Sequence, residues 1–175
     1  NLTLPPYDTK ICNFLSDFSN QLEKSKYINK FPDLKSLAFW SRKKNLMLLK
    51  KNYFSDVTRL AVGLVFHISP SNIPTNFAYS LIFGILTGNN NIVKVPSQNF
   101  RQIDIICSVL KNILNKKKYI QIKKMIKIVR YEKNSDFTQK ISSICDARLI
   151  WGGDKTVADL KKIVLKKAFS CQLED

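Results

Sequence analysis

The stretch Gly63-Leu64-Val65-Phe66-His67-Ile68-Ser69-Pro70-Ser71-Asn72-Ile73-Pro74, continued by Leu86-Thr87-Gly88-Asn89-Asn90-Asn91-Ile92-Val93-Lys94-Val95-Pro96-Ser97, decides the fold. An apolar, β-branched run reads as a buried strand over Leu60 to Ile68. A loop follows that holds the polar Asn72 between Pro70 and Pro74. Thr75 to Leu86 then reads as a helix, Gly88-Asn89 as a turn, and Asn91 to Val95 as a second buried strand containing Lys94. This is a β-α-β unit. Its polar groups gather at the carboxyl ends of the strands, where open α/β sheets bind ligands.

The same rhythm continues outward. Helix is expected over Ser97 to Asn115, strand over Met125 to Tyr131 and helix over Asp136 to Cys145, with Ser135 as its cap. A short strand over Ala147 to Trp151 and a helix over Lys155 to Lys167 complete it. Strands alternating with helices predict parallel β-α-β units, and near-continuous apolar strands predict a sheet covered on both faces. Upstream the pattern is helical. Ile11, Phe14, Leu15, Phe18 and Leu22 recur every three or four residues, and Pro32 is placed to open a second helical region carrying Leu34, Leu37, Ala38, Phe39, Leu46, Leu48 and Leu49. The expected fold class is therefore α/β: an open parallel-sheet domain with a helical N-terminal region, the boundary lying near Tyr53 to Arg59.

Composition narrows the function classes. The chain has 175 residues, 45% of them hydrophobic, which suits a folded domain. No apolar run reaches the ~18–20 residues of a membrane span, and no signal-peptide pattern is present. The four cysteines, Cys12, Cys107, Cys145 and Cys171, have no metal-ligand spacing and read as reduced thiols of a cytoplasmic protein. His67 is the one histidine, so no metal site is expected, and its apolar strand makes it a satisfied core residue. Net charge is +16, but Lys, Asn and Ile are all abundant, as an AT-rich coding sequence would give. Six lysines between Lys116 and Lys127 read as a solvated helix end. With no nucleic-acid motif beside them, nucleic acid is not expected as a partner. Phosphate-bearing ligands would be attracted.

Residues alone leave Asn72 two roles. It can cap a turn, or its proline-bracketed amide can donate to a developing oxyanion. Trp151-Gly152-Gly153-Asp154-Lys155-Thr156 likewise reads either as a tight strand-helix turn capped by Asp154 or Thr156, or as a backbone cradle for phosphate.

The segments Val65–Pro74, Leu86–Ser97 and Arg148–Thr156, in this order, resemble the cofactor-domain core of the aldehyde dehydrogenase superfamily. The nearest likeness is to bacterial long-chain acyl-CoA reductases of the LuxC type, which supply fatty aldehyde for luminescence, and it extends from about Leu15 to Ile163. The resemblance implies that Asn72 is catalytic, donating to the thioester or thiohemiacetal oxyanion. It places Ser69, Pro70, Lys94, Ser97, Gly152 and Gly153 against the cofactor. Lys94 would meet the adenosine ribose, and the glycines the pyrophosphate. Ser97 stands where many NAD-preferring relatives carry a glutamate, so NADPH is the expected cofactor; it could also cap the following helix.

In this light residues 1–58 are the helical N-terminal region, 59–167 the NAD(P)-binding α/β domain, and 168–175 an atypical tail. The superfamily's cysteine nucleophile belongs to a downstream catalytic domain. Cys171, 18 residues after Gly153, does not sit in such a segment, and the catalytic domain is expected to be absent. Expected partners are an acyl-CoA or acyl-protein substrate and an acyl-protein synthetase, with a homo-oligomeric full-length enzyme. Another acyl reductase of this superfamily, or a basic binding module without catalysis, are the rival readings.

Overall fold

The computed structural model describes residues 3–53, 58–132 and 136–165. Asp8 starts helix α1 (Thr9–Glu23) by accepting the Lys10 backbone N–H at 2.7 Å. The face of α1 expected from spacing is the one buried: Ile11, Phe14, Leu15, Phe18 and Leu22 are each at most 1% exposed. Each such side chain contributes about 1.5–3 kcal/mol on burial, against ~0–1 kcal/mol for an exposed ion pair such as Arg42–Glu23. Apolar packing therefore docks this helix.

Pro32 opens α2 (Pro32–Trp40) as expected. The second helical region is two helices, because the buried Ser41 hydroxyl donates back to Leu37 O at 2.8 Å at the break before α3 (Lys43–Tyr53). The break turns two of the seven expected apolar residues outward: Phe39 is 56% and Leu48 57% exposed.

The sheet strands are β1 (Leu64–Ile68), β2 (Asn90–Lys94), β3 (Ile126–Val129) and β4 (Ala147–Ile150). All three pairings are parallel, in the order β3-β2-β1-β4. The α/β class and parallel sheet follow the sequence expectation. β1 begins four residues later than expected, because Asn89 Oδ1 takes the Val62 and Gly63 N–H groups at 2.7 and 3.1 Å. Leu60 and Val62 are left exposed.

Between β1 and β2 runs α4 (Asn76–Leu86). It ends in a Schellman turn, with Gly88 N–H on Ile85 O at 2.8 Å and Asn89 N–H on Gly84 O at 3.1 Å. Gly88 has φ +82°, and a Cβ there would strike Leu4 O. The N-terminal arm thus closes over the end of α4.

Helix α5 (Arg101–Leu114) starts later than the expected Ser97, and Ser97 does not cap it: its hydroxyl donates to Tyr131 O at 3.1 Å. A 3-10 turn (Lys117–Tyr119) and α6 (Ile120–Lys124), not expected from the sequence, lead into β3. Of the lysines here, Lys116 and Lys118 pair with Asp17 of α1, and Lys123 donates to Asn115. Burial works against the Asp17 carboxylate, yet bonds from Lys118 Nζ (2.9 Å) and Tyr119 Oη (2.8 Å) hold its pKa below the ordinary value. After α7 (Phe137–Ser142) and β4 comes α8 (Asp154–Lys161). Cys145 lies beyond the end of α7, not within it.

Alternation along β1 and β2 divides the interior. Phe66, Ile68 and Ile92 face a small cluster with Ile141 of α7 and Leu160 of α8. Val93 and Val95 face the main core, built with α1, α2, α4, α5 and α6. Both faces are therefore covered, as the apolar strands require. The expected cap Ser135, most of the 53–59 boundary and the 168–175 tail lie outside the described residues. Among the described residues no helix is long and apolar enough to cross a membrane.

Candidate functional site

Strand order locates the site. The chain moves from β1 to β2 to β3 on one side, then returns to place β4 on the other side of β1. The chain leaving β1 enters α4 on the main-core face and the chain leaving β4 enters α8 on the other face, the strand-order reversal at whose carboxyl edge open α/β sheets bind ligands. The β1 loop carries Ser69, Pro70 and Asn72, and the β4 loop is Trp151-Gly152-Gly153.

Asn72 is exposed, and its carboxamide has no partner among the described residues. It is not a capping residue: the residue before α4 is Thr75. Ser69 is 7% exposed, and its hydroxyl has no hydrogen-bond partner among the described residues. Asn76 Oδ1, on the first turn of α4, is buried and equally unpartnered. Buried polar atoms without partners are rare, and two of them flank the Asn72 loop.

Lys94 is the last residue of β2, in register with Ile68 on one side and Val129 on the other. Ser69 follows Ile68, so the lysine and the serine loop adjoin. Burial lowers the Lys94 pKa, opposed by the charge of Glu132. Its Nζ lies 5.1 Å from the centre of the Tyr131 ring, whose carbonyl takes the Ser97 hydroxyl. Lys94, Ser97 and Tyr131 form one group. Pattern reading missed Tyr131, although an aromatic closing an apolar strand was there to be read.

Gly153 caps α8, and among the described residues no side chain bonds to the first turn of that helix. The proposed caps Asp154 and Thr156 therefore do not serve. The first-turn residues are exposed, and a Cβ on Gly153 would meet nothing within 4 Å. Asp154 puts a negative charge in this first turn, which opposes an anion.

Chemistry at sulfur is restricted. Cys12 and Cys145 are buried with raised pKa, each first by desolvation. Desolvation also pushes Cys107 up to about 11. None of these three is a thiolate nucleophile at neutral pH; Cys171 lies outside the described residues. No group of three His, Cys, Asp or Glu among the described residues could hold a metal. A cavity of about 750 Å³ lies elsewhere, against α2 and Tyr79 of α4, and none of the candidate residues lines it.

The family model described as Acyl-CoA reductase (LuxC) matches residues 4–173. The chain belongs to the acyl-CoA reductase family. No curated protein matches the sequence. Among solved structures it resembles glyceraldehyde-3-phosphate dehydrogenase GapN from Methanocaldococcus jannaschii DSM 2661, complexed with NADP. The TM-score is 0.66 at 19% identity, covering 91% of this chain and 40% of that one. It also resembles the NADP-dependent glyceraldehyde-3-phosphate dehydrogenase of Bacillus halodurans C-125, complexed with NADP, with TM-score 0.60, 17% identity and coverage of 92% and 39%. At these identities the likeness is one of fold. The acyl-CoA reductase chain spans about two fifths of the length of these dehydrogenases.

Proposed function

We propose that this chain is the cofactor-binding part of an NADPH-dependent reductase that converts long-chain acyl thioesters to aldehydes. The carrying observation is the polar set at the carboxyl edge of the sheet, in a chain of the acyl-CoA reductase family: the free carboxamide of Asn72 after β1, the half-buried Lys94 ending β2, and the Gly153 start of α8 after β4.

The residues fit a dinucleotide. The buried Ser69 hydroxyl has no partner among the described residues, and a bound nucleotide would supply one. Gly153 leaves room for phosphate to approach backbone N–H groups. Lys94 offers a cation, and no carboxylate at residue 97 repels a 2′-phosphate. When bound, NADPH supplies the hydride. Asn72 donates its amide N–H to the carbonyl oxygen as charge builds there. The acyl group needs a thiolate acceptor, which Cys12, Cys107 and Cys145 do not provide. This chain by itself is expected to bind nucleotide without turnover. Acyl groups would arrive as acyl-CoA or from a synthetase partner, and the complete enzyme would be a homo-oligomer.

Titration of the chain with NADPH, followed by nucleotide fluorescence, tests the reading. Saturable binding that weakens about tenfold or more in Lys94→Met is expected. Absence of NADPH binding, with salt-sensitive binding to nucleic acid instead, would support a basic module and overturn the reductase reading.

A further inference from the structure

Beneath α4 lies a buried polar chain that links three strands. His67 of β1 bonds through Nδ1 to Ser80 of α4 at 2.8 Å and through Nε2 to Asn91 of β2 at 2.9 Å. Trp151, just beyond β4, donates its indole N–H to the same Ser80 oxygen at 3.1 Å. His67, Ser80 and Asn91 are each at most 1% exposed.

The proton positions follow from the partners. The Asn91 amide nitrogen is committed to Asn89 O at 2.6 Å, so Asn91 Oδ1 accepts and His67 Nε2 carries the hydrogen. The neutral ring then accepts at Nδ1, and the Ser80 hydroxyl donates to it. That leaves the Ser80 lone pairs for the Trp151 N–H. All groups are satisfied in one direction only, and reversing it strands a buried donor.

Trp151 is thereby held twice: its indole by α4, and its backbone N–H by Ile68 O of β1 at 2.9 Å. Gly152 and Gly153 follow at once. Glycines impose little on their own backbone, so what precedes them sets where the turn goes. We infer that Ser80, oriented by His67 and Asn91, is a positioning residue that holds the Trp151 indole and so fixes the Gly152-Gly153 turn for nucleotide binding. The inference rests on the nucleotide-binding reading of this sheet edge.

Trp151→Phe is the decisive variant. It keeps a ring at a site 40% exposed and removes the N–H donor. Two readouts are taken on the chain: NADPH affinity, and amide hydrogen exchange at residue 151 with residue 67 as internal reference. Trp151→Phe is expected to speed exchange at residue 151 by about fivefold or more, without change at residue 67, and to weaken NADPH binding by a similar factor. Ser80→Ala should do the same, and the double variant should bind no worse than either single one. Normal exchange in Trp151→Phe, or additive losses in the double variant, would overturn the inference. A wild-type chain that fails to bind NADPH defeats the proposed function, and the exchange result still decides the positioning role.

Discussion

Asn72→Ala is expected to lower acyl-thioester turnover by about 10²–10³-fold in an acyl-CoA reductase built on this chain, with NADPH affinity unchanged. The size follows from what an amide donor does. It contributes little while the substrate carbonyl is neutral, and much once the oxygen carries charge, so its loss appears in kcat rather than in ground-state binding. The structure supplies the conditions for that role. The carboxamide is free, so no internal bond competes for it, and the loop is bracketed by Pro70 and Pro74, which limit its backbone freedom. Steady-state kinetics with a long-chain acyl-CoA, beside a nucleotide titration of the same variant, checks it. A kcat within about fivefold of wild type would remove Asn72 from the chemistry.

Gly84→Ala is expected to destabilise the fold by about 3 kcal/mol or more, a large part of a small domain's stability. In an unconstrained helix the same change stabilises by about 1 kcal/mol. Here the added methyl would collide with Asn91 Oδ1 and come within 2.8 Å of the His67 ring. Overpacking costs about 1–3 kcal/mol, and pushing Asn91 off His67 leaves buried polar atoms unpaired at a similar cost. The penalties outweigh the helix gain. Urea unfolding of the chain reads the difference, and a variant as stable as wild type would refute the tight contact.

The same contact has a pH signature. Burial pulls the His67 pKa below its usual 6.5, with the Asn91 bond opposing. The unfolded chain takes up its proton near pH 6.5, while the folded chain resists until lower pH. Stability from the neutral ring is thus complete above about pH 6.5 and is lost as pH falls through the lower folded value. Unfolding midpoints of wild type should drop between pH 7 and pH 5 more steeply than those of His67→Gln. Parallel curves would exclude this titration.

Much of this could be read from the chain. The apolar spacing of Ile11, Phe14, Leu15, Phe18 and Leu22 marked α1 and its buried face, because a helical stripe must find cover. The runs around Phe66, Val93 and Ile128 marked parallel strands, because only a sheet covered on both faces tolerates them. Ser97 shows the limit. A serine before a helical pattern looks like a cap, yet its hydroxyl went to Tyr131 O, a residue 34 positions away that no local rule brings near. Asp154 and Thr156 failed as caps because both lie inside α8, whose N-cap position is Gly153.

Local chemistry, then, determined which segments are strands and helices, and which residues sit at strand ends: Asn72, Lys94 and the glycine pair. Periodicity and turn preference act within a few residues, so the chain carries them openly. Only the tertiary structure decided that β4 lies beside β1 and not beside β3. That one pairing sets the turn after β4 beside β1 and brings Trp151 to Ser80 of α4, 71 residues away in sequence. Strand order is a contest among long-range contacts of similar local character, and it is settled by how the whole core packs.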